Sequence, residues 1–192
     1  DYYASRGLGD VYKRQVLYEN NDILIINKPA GMLSQKAKKD DYSLVEAISD
    51  YLLESGALTK EQLRTFHPGI CNRLDRNTSG IVVAGKSIYG LQTMTAAFKE
   101  RTLHKYYLCI VKGNVEKRSR VKGYLYKNER TNKVTILQNA PKGKEKDILP
   151  IETEYIPVCA NKQATLLKVN LLTGRSHQIR AHLSFLGHPL AG

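Results

Sequence analysis

Asp75 lies between two arginines in the run Cys71-Asn72-Arg73-Leu74-Asp75-Arg76-Asn77-Thr78-Ser79-Gly80, and the apolar run Ile81-Val82-Val83-Ala84 follows at once. A carboxylate fixed beside guanidinium groups stays ionised and can attack, or take a proton, at a chosen place. Thr78, Ser79 and Gly80 permit a tight turn and close approach of a substrate. The rival reading is an ion-paired turn without chemistry. A second polar segment, Leu172-Thr173-Gly174-Arg175-Ser176-His177-Gln178-Ile179-Arg180, supplies further cations. Gly174 there precedes an expected helix, and free amides at a helix start attract phosphate or carboxylate.

A third segment is Lys105-Tyr106-Tyr107-Leu108-Cys109-Ile110-Val111-Lys112-Gly113. Alternation places Lys105, Tyr107, Cys109 and Val111 on one face, and Tyr106, Leu108 and Ile110 on the other. A tyrosine directed into a site can stack on an extruded base. A core position is the commoner fate of a strand tyrosine. His177 and His182 lack the i, i+4 spacing of a helical metal pair, and no Glu or Cys completes a set, so no metal is expected. Cys71, Cys109 and Cys159 show no CxxC spacing, which suits a reducing compartment and a cytoplasmic location. No apolar run approaches the ~20 residues that span a bilayer, so no membrane partner is expected.

Charge points the same way as the arginines. Thirty Lys and Arg against eighteen Asp and Glu leave +12 over 192 residues. Such an excess favours a polyanion, RNA or DNA first. The stretch 117–147 holds ten Lys and Arg and three acids. It reads as a phosphate-contacting arm or as a solvated hairpin. Lys142 to Lys146 reads as a loop.

The elements that must position these groups follow from pattern. Asp22 to Asn27 predicts a buried strand, stopped by Lys28-Pro29-Ala30-Gly31. Ser43-Leu44-Val45-Glu46 is a capping-box pattern that opens a helix to about Glu54, with Gly56 as the stop. Ile81 to Ala84 predicts a second buried strand. Ser87 caps a helix ending near Arg101, with Leu91, Met94, Thr95 and Phe98 on one face. Strands are expected at 105–111, 121–126, 133–137, 151–158 and 165–171, and a last helix from Ser176 to about Phe185. Late, numerous strands argue α+β, with a mixed, mostly antiparallel central sheet and flanking helices.

The quoted segments resemble, in order, the motifs of RluA-type pseudouridine synthases. Ile25-Ile26-Asn27-Lys28-Pro29-Ala30-Gly31 is similar to the family's first motif, and Arg73-Leu74-Asp75 with Thr78-Ser79-Gly80 to its aspartate motif. Lys105 and Tyr107 match Lys-x-Tyr, and Gly187-His188-Pro189 a Gly-His-Pro segment. Asn72 stands where histidine is commonest. The resemblance implies an RNA uridine isomerase, acting on rRNA or tRNA without cofactor or metal, with Asp75, Tyr107 and Arg180 catalytic and Arg180 paired to Asp75. It further implies substrate contacts from Arg73, Arg76, Thr78, Lys105, Arg175, His177 and Gln178. A monomer is expected. The rivals are a non-catalytic RNA-binding protein on the same fold and a nuclease, though a nuclease would show clustered acids for metal.

Two boundaries are also expected. Residues 1–15 lack apolar period, and Asp10 to Gln15 is what GATGTGTATAAGAGACAG encodes, a string that resembles a transposon mosaic end. They are read as adapter-derived, with the catalytic domain spanning 16–192. Without them the charge is still +11, since they carry three cations and two acids. Gly187 to Gly192 reads as a loop after which the family's C-terminal strands are missing.

Overall fold

The computed structural model describes residues 15–128, 133–139 and 148–191. The adapter reading of the first residues therefore lies outside the described residues except at Gln15, as does the loop expected at Lys142 to Lys146. The chain forms two compact units that divide after Leu103.

The first unit holds strands β1 (Val16–Glu19), β2 (Ile23–Lys28), β3 (Gly69–Ile70) and β4 (Gly80–Gly85), in the sheet order β1-β2-β4-β3. Every ladder in it is antiparallel, with Ile26 opposite Val82 and Lys28 opposite Gly80. Helices α1 (Leu44–Glu54), α2 (Lys60–Thr65) and α3 (Ile88–Glu100) complete it. Alternation along β2 buries Leu24, Ile26 and Lys28, and β4 buries Val82, Val83 and Ala84. From α1, Leu44, Ala47, Ile48 and Leu52 are buried. The start of α1 is fixed as its sequence predicts: the Glu46 carboxylate accepts from the Ser43 N–H at 3.0 Å and from its hydroxyl at 2.6 Å. The Ser87 hydroxyl accepts from the Gly90 N–H at 3.0 Å to open α3. That helix ends at Arg101, in the left-handed region at φ 61°.

The second unit is a five-stranded antiparallel sheet, β5 (Tyr106–Lys112), β6 (Ser119–Asn128), β7 (Lys133–Leu137), β8 (Ile148–Ala160) and β9 (Ala164–Leu171), in the order β5-β9-β8-β6-β7. Helix α4 (Gln178–Phe185) packs against β7 and β8. One core joins Val111, Val115, Tyr155, Leu167, Val169 and Leu183, with Tyr107, Ile179 and Leu186 packed on it. The opposite face of β5 presents Tyr106, Leu108 and Ile110 to solvent. After α4 the chain returns along the outer edge of β5: Lys112 N–H donates to Pro189 C=O, and Ala191 N–H to Ile110 C=O, both at 2.9 Å.

The expected α+β class holds, but the sheet is divided. Each unit carries its own antiparallel sheet, and the one parallel pairing among the described residues is an isolated bridge between Leu33 and Ser43. No helix among the described residues is long and apolar enough to cross a membrane.

The tightest packing in the first unit is at glycine. A methyl carbon built on Gly90 would sit 2.1 Å from the Asp22 carbonyl oxygen, a backbone atom. Gly90→Ala should therefore lower stability by roughly 1–3 kcal/mol, although alanine is the better helix former. Urea unfolding of the variant beside wild type measures it.

Candidate active site

Asp75 sits on a turn between β3 and β4 whose backbone is held from both sides. Thr78 N–H donates to the Asp75 carbonyl at 3.0 Å and closes the turn. One residue before Asp75, Leu74 is buried; its carbonyl accepts from the Ser34 hydroxyl at 2.7 Å, and its N–H donates back to that oxygen at 3.1 Å. One residue after, the Arg76 carbonyl accepts from Gly31 N–H at 2.8 Å, and the Arg76 Nε donates to the Gly31 carbonyl at 3.1 Å. Asp75 itself is half-buried, while Arg73 and Arg76 are exposed.

The deepest support is Lys28. Its side chain is fully buried, a rare state for lysine. Its ammonium donates to the carbonyls of Pro29 at 2.9 Å, Met32 at 2.8 Å and Arg76 at 3.2 Å. Three protons meet three acceptors, which is how a buried charge is tolerated. Burial pushes its pKa down, and the negative charge of Asp75 pulls it back up. The cation therefore both stitches the turn to the end of β2 and lies within the field of the carboxylate. From sequence, Asn27-Lys28-Pro29 reads as a strand end and as part of the family's first motif, with no role given to Lys28. A lysine closing an apolar strand was the available signal.

The second unit carries the other expected residues. Tyr107 is half-buried on the core face of β5, with Tyr106 exposed opposite, as alternation predicts. Tyr106 instead lies under Lys168, whose Nζ is 4.4 Å from the ring centroid. The structure brings Lys105 to the Gly174 turn: a methyl carbon built on Gly174 would lie 2.8 Å from the Lys105 Nζ. Arg175 and Arg180 are exposed, and His177 precedes α4 in the left-handed region at φ 56°.

Gln178, expected to contact the substrate, lies inside the protein. It is buried, and all four of its amide positions are used by the protein. Its Nε2 donates to the Glu152 carbonyl at 3.1 Å and to Thr153 Oγ1 at 3.0 Å. Its Oε1 accepts from Thr173 Oγ1 at 2.9 Å and from Arg175 N–H at 3.0 Å. It shapes the Thr173–Arg175 turn, and it occupies an amide that the helix start was expected to offer. Thr153 Oγ1, which accepts from Gln178, also lies 3.0 Å from His182 Nδ1.

The expected basic arm is also altered where it is described. Arg118 pairs with Glu154, and Arg120 and Lys122 approach Glu152. Three of its cations thus face carboxylates of β8 across the sheet. Its remainder at 129–132 and 140–147 lies outside the described residues.

A family model described as RNA pseudouridylate synthase matches residues 22–185. The chain belongs to that family. The RluA-type resemblance read from the motifs agrees with its relatives. It is 32% identical over 185 residues to "Ribosomal large subunit pseudouridine synthase C" of Pasteurella multocida, covering 93% of this chain and 51% of that protein. The protein of the same name from Vibrio vulnificus is 32% identical, with 92% and 50% covered. The chain spans about half the length of the curated relatives it matches. Among solved structures, Human RNA Pseudouridylate Synthase Domain Containing 4 superposes with a TM-score of 0.77 at 18% identity, covering 96% of this chain and 69% of that one. That likeness shows the fold.

Two outcomes follow for this chain. Lys28→Met leaves the Pro29 and Met32 carbonyls without the ammonium they accept from and should cost roughly 1–3 kcal/mol in urea unfolding. The second concerns acid. Burial holds the His182 pKa below its ordinary value, so on unfolding the residue takes up a proton near its free value of about 6.5. The contribution is complete above that value and is lost as pH falls toward the folded one. Stability should drop through the histidine range, before carboxylates titrate, and His182→Gln should remove that slope. Unfolding free energies measured across pH report it.

Proposed function

We propose that this chain isomerises uridine to pseudouridine in RNA, with Asp75 as the essential carboxylate and large-subunit rRNA as the substrate class. The observation that carries the reading is the bracing of the Asp75 turn: the backbone is pinned at Leu74 and Arg76, while the carboxylate between them stays half-exposed. Immobile backbone on either side is what fixed orientation at a reacting sugar needs. The names of the relatives support the choice of RNA.

The reaction breaks the C1′–N1 bond and forms C1′–C5. It is redox-neutral and adds no group, so its balance needs no cofactor. The uracil must leave its stack and rotate, which calls for a pocket that holds an extruded base. Tyr107 is proposed to stack on that base, and Arg180 to act in the same reaction as the cation that orients a carboxylate. Arg73, Arg76, Thr78, Lys105, Arg175 and His177 are proposed to contact the RNA. Gln178, buried as it is, contributes by holding the Arg175 turn.

Asp75→Asn should abolish pseudouridine formation while largely sparing RNA affinity. Near wild-type turnover would reject the assignment, and a wild-type chain that binds RNA without converting it would favour the non-catalytic rival. Arg180→Lys should lose turnover more than RNA affinity, because an ammonium cannot make the planar two-point contact of a guanidinium. Single-turnover kinetics with filter-binding affinities separate the two effects.

A further inference from the structure

Asn72 stands at the neck of the Asp75 turn. The β3–β4 ladder ends with Ile70 opposite Ala84, and one more backbone bond follows, from Cys71 N–H to the Val83 carbonyl at 2.7 Å. The chain then departs from β4 to form the turn. At that point the Asn72 side chain takes over. Its Oδ1 accepts from the Val83 N–H at 2.8 Å, and its Nδ2 donates to the Ile81 carbonyl at 3.0 Å. These are a donor and an acceptor of β4 that a strand neighbour would satisfy with backbone. The primary amide supplies the same pair from a side chain.

We propose that Asn72 is a positioning residue for Asp75. Its amide acts as the last rung of the sheet, and it clamps the two ends of the turn at Asn72 and Ile81 with a strength that does not vary with pH. This rests on the reading of Asp75 as the essential carboxylate. The residue type follows from the chemistry of the rung. An amide presents one acceptor and one donor on the same edge. A neutral imidazole also carries one of each, but its protonated form carries two donors and would meet the Val83 N–H donor to donor. A carboxylate carries only acceptors and would meet the Ile81 carbonyl lone pair to lone pair. Among these, only the amide keeps the rung intact whether the solution is acidic or neutral.

The test uses Asn72→His and Asn72→Ala in the full chain, with two readouts. The first is the hydrogen-exchange protection factor of the Val83 amide, which needs no activity. The second is pseudouridine formation on a uridine-containing RNA, resolved into kcat and KM. Both are taken at about pH 7.5 and about pH 5.5, on either side of the free imidazole value. Asn72→His should match wild type at the higher pH. At the lower, Val83 protection and kcat should each fall roughly tenfold relative to wild type, the scale of one lost hydrogen bond, with KM unchanged. Asn72→Ala should lose both at either pH. An Asn72→Ala chain that keeps full Val83 protection, or an Asn72→His chain with the wild-type pH profile, overturns the clamp. A wild type that forms no pseudouridine, while Val83 protection responds as described, overturns the role assigned to Asp75 and leaves the clamp as a structural rung.

Discussion

The ammonium of Lys28 is the contact on which the arrangement of the first unit depends. It is buried at the end of β2, and its three donors go to carbonyls on two separate segments, Pro29 and Met32 on one and Arg76 on the other. No local hydrogen bond could join these segments, which lie far apart in sequence. A buried cation costs several kcal/mol in desolvation unless acceptors and an opposite charge surround it. Here both conditions are met by the turn it organises, through the Arg76 carbonyl and the charge of Asp75. The demand is reciprocal: the lysine requires the turn, and the turn requires the lysine. Ser34 and Gly31 then fix the flanks with bonds that hold only if segment 29–34 is already in place.

The second unit solves a related problem with neutral groups. Thr153, Gln178 and His182 are all buried, and each finds a partner among the others or in the backbone. A satisfied polar network of this kind specifies one arrangement, because any shift leaves a buried donor or acceptor alone. It ties β8 to α4 and thereby fixes the segment that bears Arg175, His177 and Arg180. A lysine charge in one unit and an amide relay in the other perform the same task, which is to hold irregular backbone still.

Much of this was legible in the residues because the signals were local. Ser43 with Glu46, and Ser87 before α3, announce helix starts through bonds that span three residues. The alternation of β5 correctly separated Tyr106 from Tyr107. The aspartate motif singled out Asp75, whose turn is braced at Leu74 and Arg76. What stayed hidden depended on distant partners. Nothing near Gln178 says that Glu152, Thr153 and Thr173 will enclose it. Nothing near Arg118 and Arg120 says that glutamates of β8 will face them. The short strands β1 and β3 carry too few residues to show a period, and α2 is a single capped turn and a half whose capping pair, Thr59 and Gln62, was visible but not read. Division into two sheets was likewise invisible, since strand patterns do not say which strand pairs with which.

The return of residues 189–191 along β5 has a consequence for self-association. An edge strand with open N–H and C=O groups is a template for another chain, and β5 would be a poor one to leave open, with Tyr106, Leu108 and Ile110 exposed along it. The Lys112 N–H and the Ile110 C=O bond to Pro189 and Ala191 instead, so that end of the edge is taken by the protein's own backbone. Pro189, which has no N–H of its own, adds no fresh donor to the outside of that edge. The segment after α4 thus covers part of that edge with backbone hydrogen bonds made by residues that carry no charge.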